Sequence, residues 1–284
     1  APAALAEEQR KKRKRTLYVF LVRHAESENN AKGHHDDAEG AGEAERLAAE
    51  KVADPALTER GARQAEATAR FFEALAASGS PWPELRPGRL CVSPMRRALE
   101  TCRPIAAAVG LPPEVRLETY ERGGLLPCGR RAYGAAGTPL PPPIHGLGLE
   151  EMREVLPGAW CSEQLPARGW WRGGLESDAE MCERAERCSE WLWRLAEESE
   201  GSSGAVVCVA HGFFINVWLQ ALLGLTPAVR GVRMPTANCC FHLLKLEVDA
   251  AAEPPRNLVV AASNASRHLP DADHVAHHVA AWRF

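Results

Sequence analysis

Short runs of β-branched and apolar residues alternate along this chain with longer segments of helical periodicity, and that alternation limits the fold more than any other feature. Strands are expected at 17–22, 89–92, 115–120, 205–210, 239–247 and 258–262. Between them, 58–77, 94–109, 149–155, 177–198 and 212–223 read as helices, with a further short one at 43–52. Thr58 stands where the first long helix needs a cap, and Ala65, Ala69, Phe72 and Leu75 form one stripe along it. Met181, Ala185, Cys188 and Leu192 do the same within 177–198, while Gly110 and Gly224 stop the helices before them. Strands alternating with helices pack as an α/β three-layer sandwich around a mostly parallel central sheet. The expected organisation is one domain over 16–284, preceded by a basic tail at 1–15. The Gly- and Pro-rich stretch 123–177 is expected to form a lid within that domain.

Charge and cysteine content exclude several classes of function. A formal net charge of −3 over 284 residues leaves no electrostatic footprint for nucleic acid or a membrane surface. No apolar run approaches the length of a bilayer span, and 1–6 is too short for the apolar region of a signal peptide. The nine cysteines are odd in number and scattered, with neither a CxxC pair nor zinc-type Cys/His spacing. Reduced thiols in an intracellular compartment, the cytoplasm, are therefore expected. The basic run 10–15 reads as a solvated tail or, alternatively, a nuclear address. Asn264-Ala265-Ser266 is a formal glycosylation sequon, discounted without a secretion signal.

The chemistry is concentrated where three apolar strands end. Leu21-Val22 runs into Arg23-His24-Ala25-Glu26-Ser27, Val92 into Ser93-Pro94-Met95-Arg96-Arg97-Ala98, and Val209-Ala210 into His211-Gly212. Ligands of open α/β sheets bind at this carboxyl edge. Two arginines and two histidines there suit a phosphoryl group: a guanidinium fork pairs with two phosphate oxygens and keeps its charge. Phosphoryl transfer depends on positioning and on neutralising the equatorial oxygens. A histidine that attacks phosphorus must be unprotonated at one ring nitrogen, with the other N–H held by an acceptor. The second histidine can serve as cation and donor, and helices beginning after Ser93 and His211 can aim backbone N–H groups at the anion.

The order and spacing of these blocks resemble the histidine phosphatase superfamily, also described as phosphoglycerate mutase-like. Arg23-His24-Ala25-Glu26-Ser27-x-x-Asn30 is similar to its signature, Ser93-Pro94-Met95-x-Arg97-Ala98-x-x-Thr101 to its second block, and Val209-Ala210-His211-Gly212 to its third. The resemblance covers about residues 16–262. It implies that His24 is the nucleophile that becomes phosphohistidine. It further implies that Arg23, Arg97 and His211 form the phosphate pocket, with Asn30 as an additional polar contact and His211 also counted among the catalytic groups. The family's acid follows the third strand, where Glu118 and Glu121 are both candidates. Glu121 is favoured, since it precedes the pair Gly123-Gly124 as in relatives with a Glu-x-Gly-Gly element, which leaves Glu118 as a strand residue facing water. An acid beside a phosphate dianion has a raised pKa, which suits it to protonating a leaving alcohol. No cofactor or metal is implied, and the partner is a phosphorylated small molecule or phosphoprotein substrate.

Other readings of the same residues are weaker. His34, His35, Asp36 and Asp37 look like metal ligands, but adjacent side chains rarely converge on one ion, and His274, His277 and His278 fare no better. Ser27 is placed either to touch phosphate or to cap a turn; Arg96 is expected to face solvent, and Trp170 and Trp171 to pack the lid or wall the substrate. A phosphoglycerate-mutase-type transfer is the alternative reaction. The mutase branch carries Trp where Asn29 stands, however, and the acidic 32–37 would repel a second anionic group, so hydrolysis is favoured. An inactive binding module on the same fold would be marked by a lost Arg23, His24, Arg97 or His211, and none is lost.

Overall fold

A computed structural model describes residues 14–32, 51–125, 145–165, 168–171, 173–174, 176–199, 204–225 and 232–273. Most of the basic tail, nearly all of the expected helix at 43–52, and both histidine clusters lie outside the described residues. The strands are β1 (Arg15–Arg23), β2 (Pro87–Val92), β3 (Pro113–Val115), β4 (Ala205–Ala210), β5 (Phe241–Val248) and β6 (Arg256–Ala265). The helices are α1 (Glu28–Ala31), α2 (Glu59–Ala76), α3 (Arg96–Val109), α4 (Leu149–Val155), α5 (Asp178–Glu198) and α6 (Gly212–Leu222).

The strands form one sheet in the order β3-β2-β4-β1-β5-β6. Pairings β1–β4, β2–β4 and β2–β3 are parallel, while β1–β5 and β5–β6 are antiparallel. The mostly parallel sheet expected from the alternation is therefore present, extended on one side by an antiparallel pair. Period-two alternation divides the interior strands between two cores. Phe20, Val22, Leu90, Val92, Val207 and Val209 pack with α2, α3 and α4. Leu17, Val19, Leu21, Val206, Cys208 and Ala210 face α5 and α6 from the other side. Helices on both faces explain why β4 is a continuous apolar run, buried at every position. Edge strand β6 is mostly exposed instead, with Val259 and Val260 on the surface.

Helix ends follow local chemistry. Thr58 Oγ1 accepts from Gly61 N at 3.0 Å and caps α2, whose predicted stripe is buried. Ser177 Oγ accepts from Glu180 N at 3.1 Å while the Glu180 carboxylate accepts from Ser177 N at 2.7 Å, a capping box that starts α5. Gly110, at φ +68°, closes α3 in the left-handed conformation that glycine adopts without strain.

One strand differs from expectation. The extended segment is Pro113–Val115 rather than 115–120, and Leu117–Thr119 is a 3₁₀ turn. Arg116 N still reaches Val92 O at 2.9 Å, after which the carbonyls of Glu118 and Tyr120 are taken by the Arg184 guanidinium at 2.7 and 2.9 Å. Backbone acceptors satisfied by a side chain need no strand partner, so the β-branched pattern is overridden. The described parts of 123–177 pack into the main core: Met152, Leu156, Trp170 and Trp171 are all buried against it.

The parallel register decides what meets at the carboxyl edge. Arg23 lies opposite Ala210 and Val92 opposite Val209, so the three motif segments leave the sheet side by side. The start of α2 braces the first of them: Glu26 N donates to Gln64 Oε1 at 2.9 Å, Thr58 N to Glu26 O at 3.0 Å, and Thr58 Oγ1 to Glu26 Oε1 at 2.7 Å. Gly61 permits this approach, since a Cβ there would collide with the backbone carbonyl of Glu26. Gly61→Ala is expected to cost about 1–3 kcal/mol of stability in urea unfolding, because a backbone atom cannot swing aside. Gly79→Ala, whose Cβ would meet nothing within 4 Å, is the control and is expected to change stability by less than about 0.5 kcal/mol.

Candidate active site

His24 follows the last residue of β1 and extends the parallel ladder by donating its N–H to Ala210 O at 2.9 Å. Its ring is held at both nitrogens. Nδ1 lies 2.7 Å from Ala25 O, and a carbonyl can only accept, so Nδ1 carries the proton. Nε2 then holds the lone pair and accepts from Arg97 Nε at 3.2 Å. The loop that carries the ring is itself pinned. Ala25 N donates to Thr101 Oγ1 at 3.0 Å, Thr101 Oγ1 donates to Arg97 O at 2.6 Å, and Asn238 Nδ2 donates to His24 O at 2.9 Å.

His211 stands at the end of β4 and is the N-cap residue of α6. Its ring centroid is 5.1 Å from that of His24. Nε2 shares a 2.7 Å hydrogen bond with Ser93 Oγ, whereas Nδ1 is buried with no hydrogen-bond partner among the described residues. Burial, followed by the positive charges of Arg97, His24, Arg23 and Arg184, pushes its pKa well below the usual histidine value. Near neutral pH it is thus a neutral imidazole. The same burial lowers Arg97 and brings Arg23 down to about 10, with Glu121 pulling both the other way. Arg23 Nη1 donates to Thr236 O at 2.7 Å. Gly212 leaves room for it, since a Cβ at that position would lie 3.1 Å from Arg23 Nε.

Of the two candidate acids, Glu121 is the one beside these groups. Its carboxylate accepts from Phe214 N at 3.0 Å and Phe213 N at 3.3 Å, the first-turn donors of α6, and from Arg122 N at 2.9 Å. Glu118, in the 3₁₀ turn rather than a strand, pairs with Arg187 at 2.7 Å. Asn30 Oδ1 accepts from Ser27 N, Ser27 Oγ and Asn238 Nδ2 at 3.2, 3.1 and 3.2 Å, which ties α1 to the His24 loop. Ser27 is the N-cap of α1. Arg96 is half exposed and pairs with Glu100 at 2.7 Å. Trp170 and Trp171 are core residues, and Trp171 lies against Gly124. Among the described residues, no group of three or more His, Cys, Asp or Glu side chains is placed to hold a metal ion.

Three contributors escaped the sequence reading. Thr236 and Asn238 come from the turn before β5, where no motif or periodicity marks them. Asp54 lies in the loop before α2, held down by Asn29, whose amide bonds Val52 O at 2.8 Å and Val52 N at 3.1 Å. Asp54 Oδ1 accepts from Arg96 N at 2.9 Å, at the start of α3, and is 4.0 Å from Arg97 Nη1. An acidic residue just ahead of the Thr58 cap was the available signal.

The surroundings of Asp54 have a consequence for stability. Burial raises its carboxyl from 3.8 to about 6, with Glu100 adding to the rise and Arg97, Arg96 and the Arg96 N–H opposing it. The folded state therefore binds a proton that the unfolded chain has released, and stability falls as pH rises through the interval from about 4 to about 6. Asp54→Asn keeps an acceptor for Arg96 N and removes the charge. It is expected to stabilise the protein by up to about 3 kcal/mol near neutral pH and by almost nothing near pH 4. Urea unfolding at both pH values checks this, and a gain independent of pH would refute it.

The sequence profile of the histidine phosphatase superfamily (branch 1) matches residues 19–123 and 144–252, which hold the whole cluster. Among solved structures, a mycobacterial glucosyl-3-phosphoglycerate phosphatase superposes with TM-score 0.51 and 21% identity over 89% of this chain and 100% of that one. The ecdysone phosphate phosphatase from Bombix mori, in complex with tungstate, gives TM-score 0.52 and 15% identity over 88% and 94%. The Entamoeba histolytica phosphoserine phosphatase, in complex with 3-phosphoglyceric acid, gives 0.50 and 18% over 89% and 100%. At such identities the likeness is one of fold. A search of curated protein sequences finds no match. With the profile spanning well over half its length, this chain belongs to the histidine phosphatase superfamily (branch 1).

Proposed function

We propose that this protein hydrolyses phosphate monoesters through a phosphohistidine on His24, without a metal ion. The observation that carries the reading is the protonation of the His24 ring: Nδ1–H is committed to Ala25 O, and the Nε2 lone pair stands beside Arg97. A nucleophilic imidazole needs that tautomer, and here the backbone imposes it.

Each group then has a part. Arg23 and Arg97 receive the oxygens of the phosphoryl dianion, and His211 offers toward the same charge its buried Nδ1, which has no partner among the described residues. The anion opposes the burial and the positive charges that keep His211 neutral, so the ring can take up a proton and become a donor at both nitrogens. His24 Nε2 forms a bond to phosphorus as the P–O bond to the leaving group breaks. Glu121 gives its proton to the departing oxygen. Water then attacks the phosphohistidine, Glu121 takes the water's proton, the P–N bond breaks, and inorganic phosphate leaves. Asn30 contributes by holding the loop that carries His24. The substrate class is a phosphorylated small molecule or phosphoprotein. Small-molecule esters are favoured by the phosphatases of like fold, named for glucosyl-3-phosphoglycerate and phosphoserine. Asn29 supports hydrolysis over mutase transfer, because its side chain is spent on the Val52 backbone rather than on lining a second anion subsite.

His24→Ala is expected to abolish turnover of p-nitrophenyl phosphate and acid-labile labelling by radiolabelled substrate, with the melting transition retained. Labelling that survives the substitution, or activity lost to a chelator, would defeat the mechanism. Glu121→Gln is expected to slow phosphoenzyme formation about 100-fold or more for an alkyl phosphate, but only a few-fold for p-nitrophenyl phosphate, whose leaving group needs little protonation. Rapid-quench measurements on both esters check this; a larger loss for Glu118→Gln would reassign the acid.

A further inference from the structure

Arg184 sits on α5 and is almost completely buried. Its guanidinium is used on every edge and both faces. Nε and Nη2 donate to the two Glu176 oxygens at 2.7 and 2.8 Å, and Nη1 donates to Glu118 O at 2.7 Å and Tyr120 O at 2.9 Å. Cζ lies 3.7 Å from the Tyr120 ring centroid and 4.1 Å from that of Phe214. Tyr120 Oη completes the cluster by donating to Glu176 Oε1 at 3.0 Å.

The groups gripped in this way are those that set Glu121. The Tyr120 carbonyl belongs to the peptide unit that leads into Glu121, so the bond to Nη1 fixes where that residue leaves the turn. Phe214, whose ring packs on the guanidinium, supplies through its backbone N–H the 3.0 Å hydrogen bond to Glu121 Oε1. Backbone and carboxylate of the acid are thus referred to a single rigid plane. A buried ion pair adds little net stability over apolar packing of the same volume, so stability alone is a poor reason for this arrangement. A lysine, with a compact point charge, could not span the fork, two carbonyls and two ring faces at once.

We propose that Arg184 is the positioning residue for Glu121, holding the acid and the α6 N-terminus that receives its carboxylate in one fixed relation to the leaving oxygen. This rests on Glu121 being the proton donor. Displacing a proton donor by about 1 Å can cost about 100-fold in rate, even when the displaced group remains present.

The test compares Arg184→Lys and Glu176→Gln with Glu121→Gln, measuring phosphoenzyme formation from β-glycerophosphate and from p-nitrophenyl phosphate. Both positioning variants are expected to slow the alkyl ester about 10-fold and the aryl ester less than about threefold, with inhibition by inorganic phosphate unchanged. The double variant Glu121→Gln/Arg184→Lys is expected to be no more than about twofold slower than Glu121→Gln alone, since nothing is left to position. Equal slowing of both esters, or full additivity in the double variant, would overturn the proposal while leaving Glu121 as the acid. An unselective Glu121→Gln would instead overturn the acid assignment, and the positioning role with it. Should Arg184→Lys fail to fold, Glu176→Gln gives the same readout with the arginine intact.

Discussion

A single hydrogen bond, from the Nδ1–H of His24 to the carbonyl of the next residue, decides what this site can do. It selects one tautomer, and with it the atom that carries a lone pair. A ring held only by side chains could turn over and present the wrong nitrogen; an acceptor from its own backbone cannot move away without moving the loop. The loop is secured from two directions by groups distant in sequence, Thr101 on α3 and Asn238 before β5. The arrangement of the sheet therefore reaches the reacting atom through three or four short bonds.

Around that ring the protein gathers buried positive charge. Burial first, and then Arg97 and Arg23, act against a charge on His211, whose Nδ1 has no partner among the described residues; Arg184 adds to them but is itself paired with Glu176. Burying positive charge is costly unless something compensates it. Asp54 and Glu121 compensate in part, from opposite elements. In the proposed reaction the phosphoryl oxygens would add negative charge among these groups.

His24 and Glu121 are supported mostly by different elements. His24 is braced from α2, α3 and the turn before β5, on one side of the sheet. Glu121 is braced from α5 and α6, on the other, through Arg184 and the first-turn amides of α6, and also by Met95 ahead of α3, whose Sδ accepts from Glu121 N at 3.4 Å. His24 and Glu121 come together at the carboxyl edge, where β1 and β4 are neighbours. Gly124 lies flush against Trp171, a residue of the core beneath α2 and α3, which helps hold the segment after Glu121.

The six strands and their parallel majority were legible as alternating apolar runs and helical periods, because burial on both faces demands continuous apolar strands whatever their neighbours. Arg23, His24, Arg97 and His211 were legible too: Arg23 ends β1, His24 and His211 follow β1 and β4 directly, and Arg97 lies in the first turn of the helix after β2. What only the tertiary structure decided lies in connections without period or motif. It ended β3 at Val115, because Arg184 takes the carbonyls that a longer strand would have paired. It separated Glu121 from Glu118 by which carboxylate reaches the amides of α6. It also brought in Asp54, Thr236 and Asn238. Local sequence specifies how a segment prefers to fold, whereas the partner of a buried polar group is set by whichever distant segment the packing brings within hydrogen-bond reach.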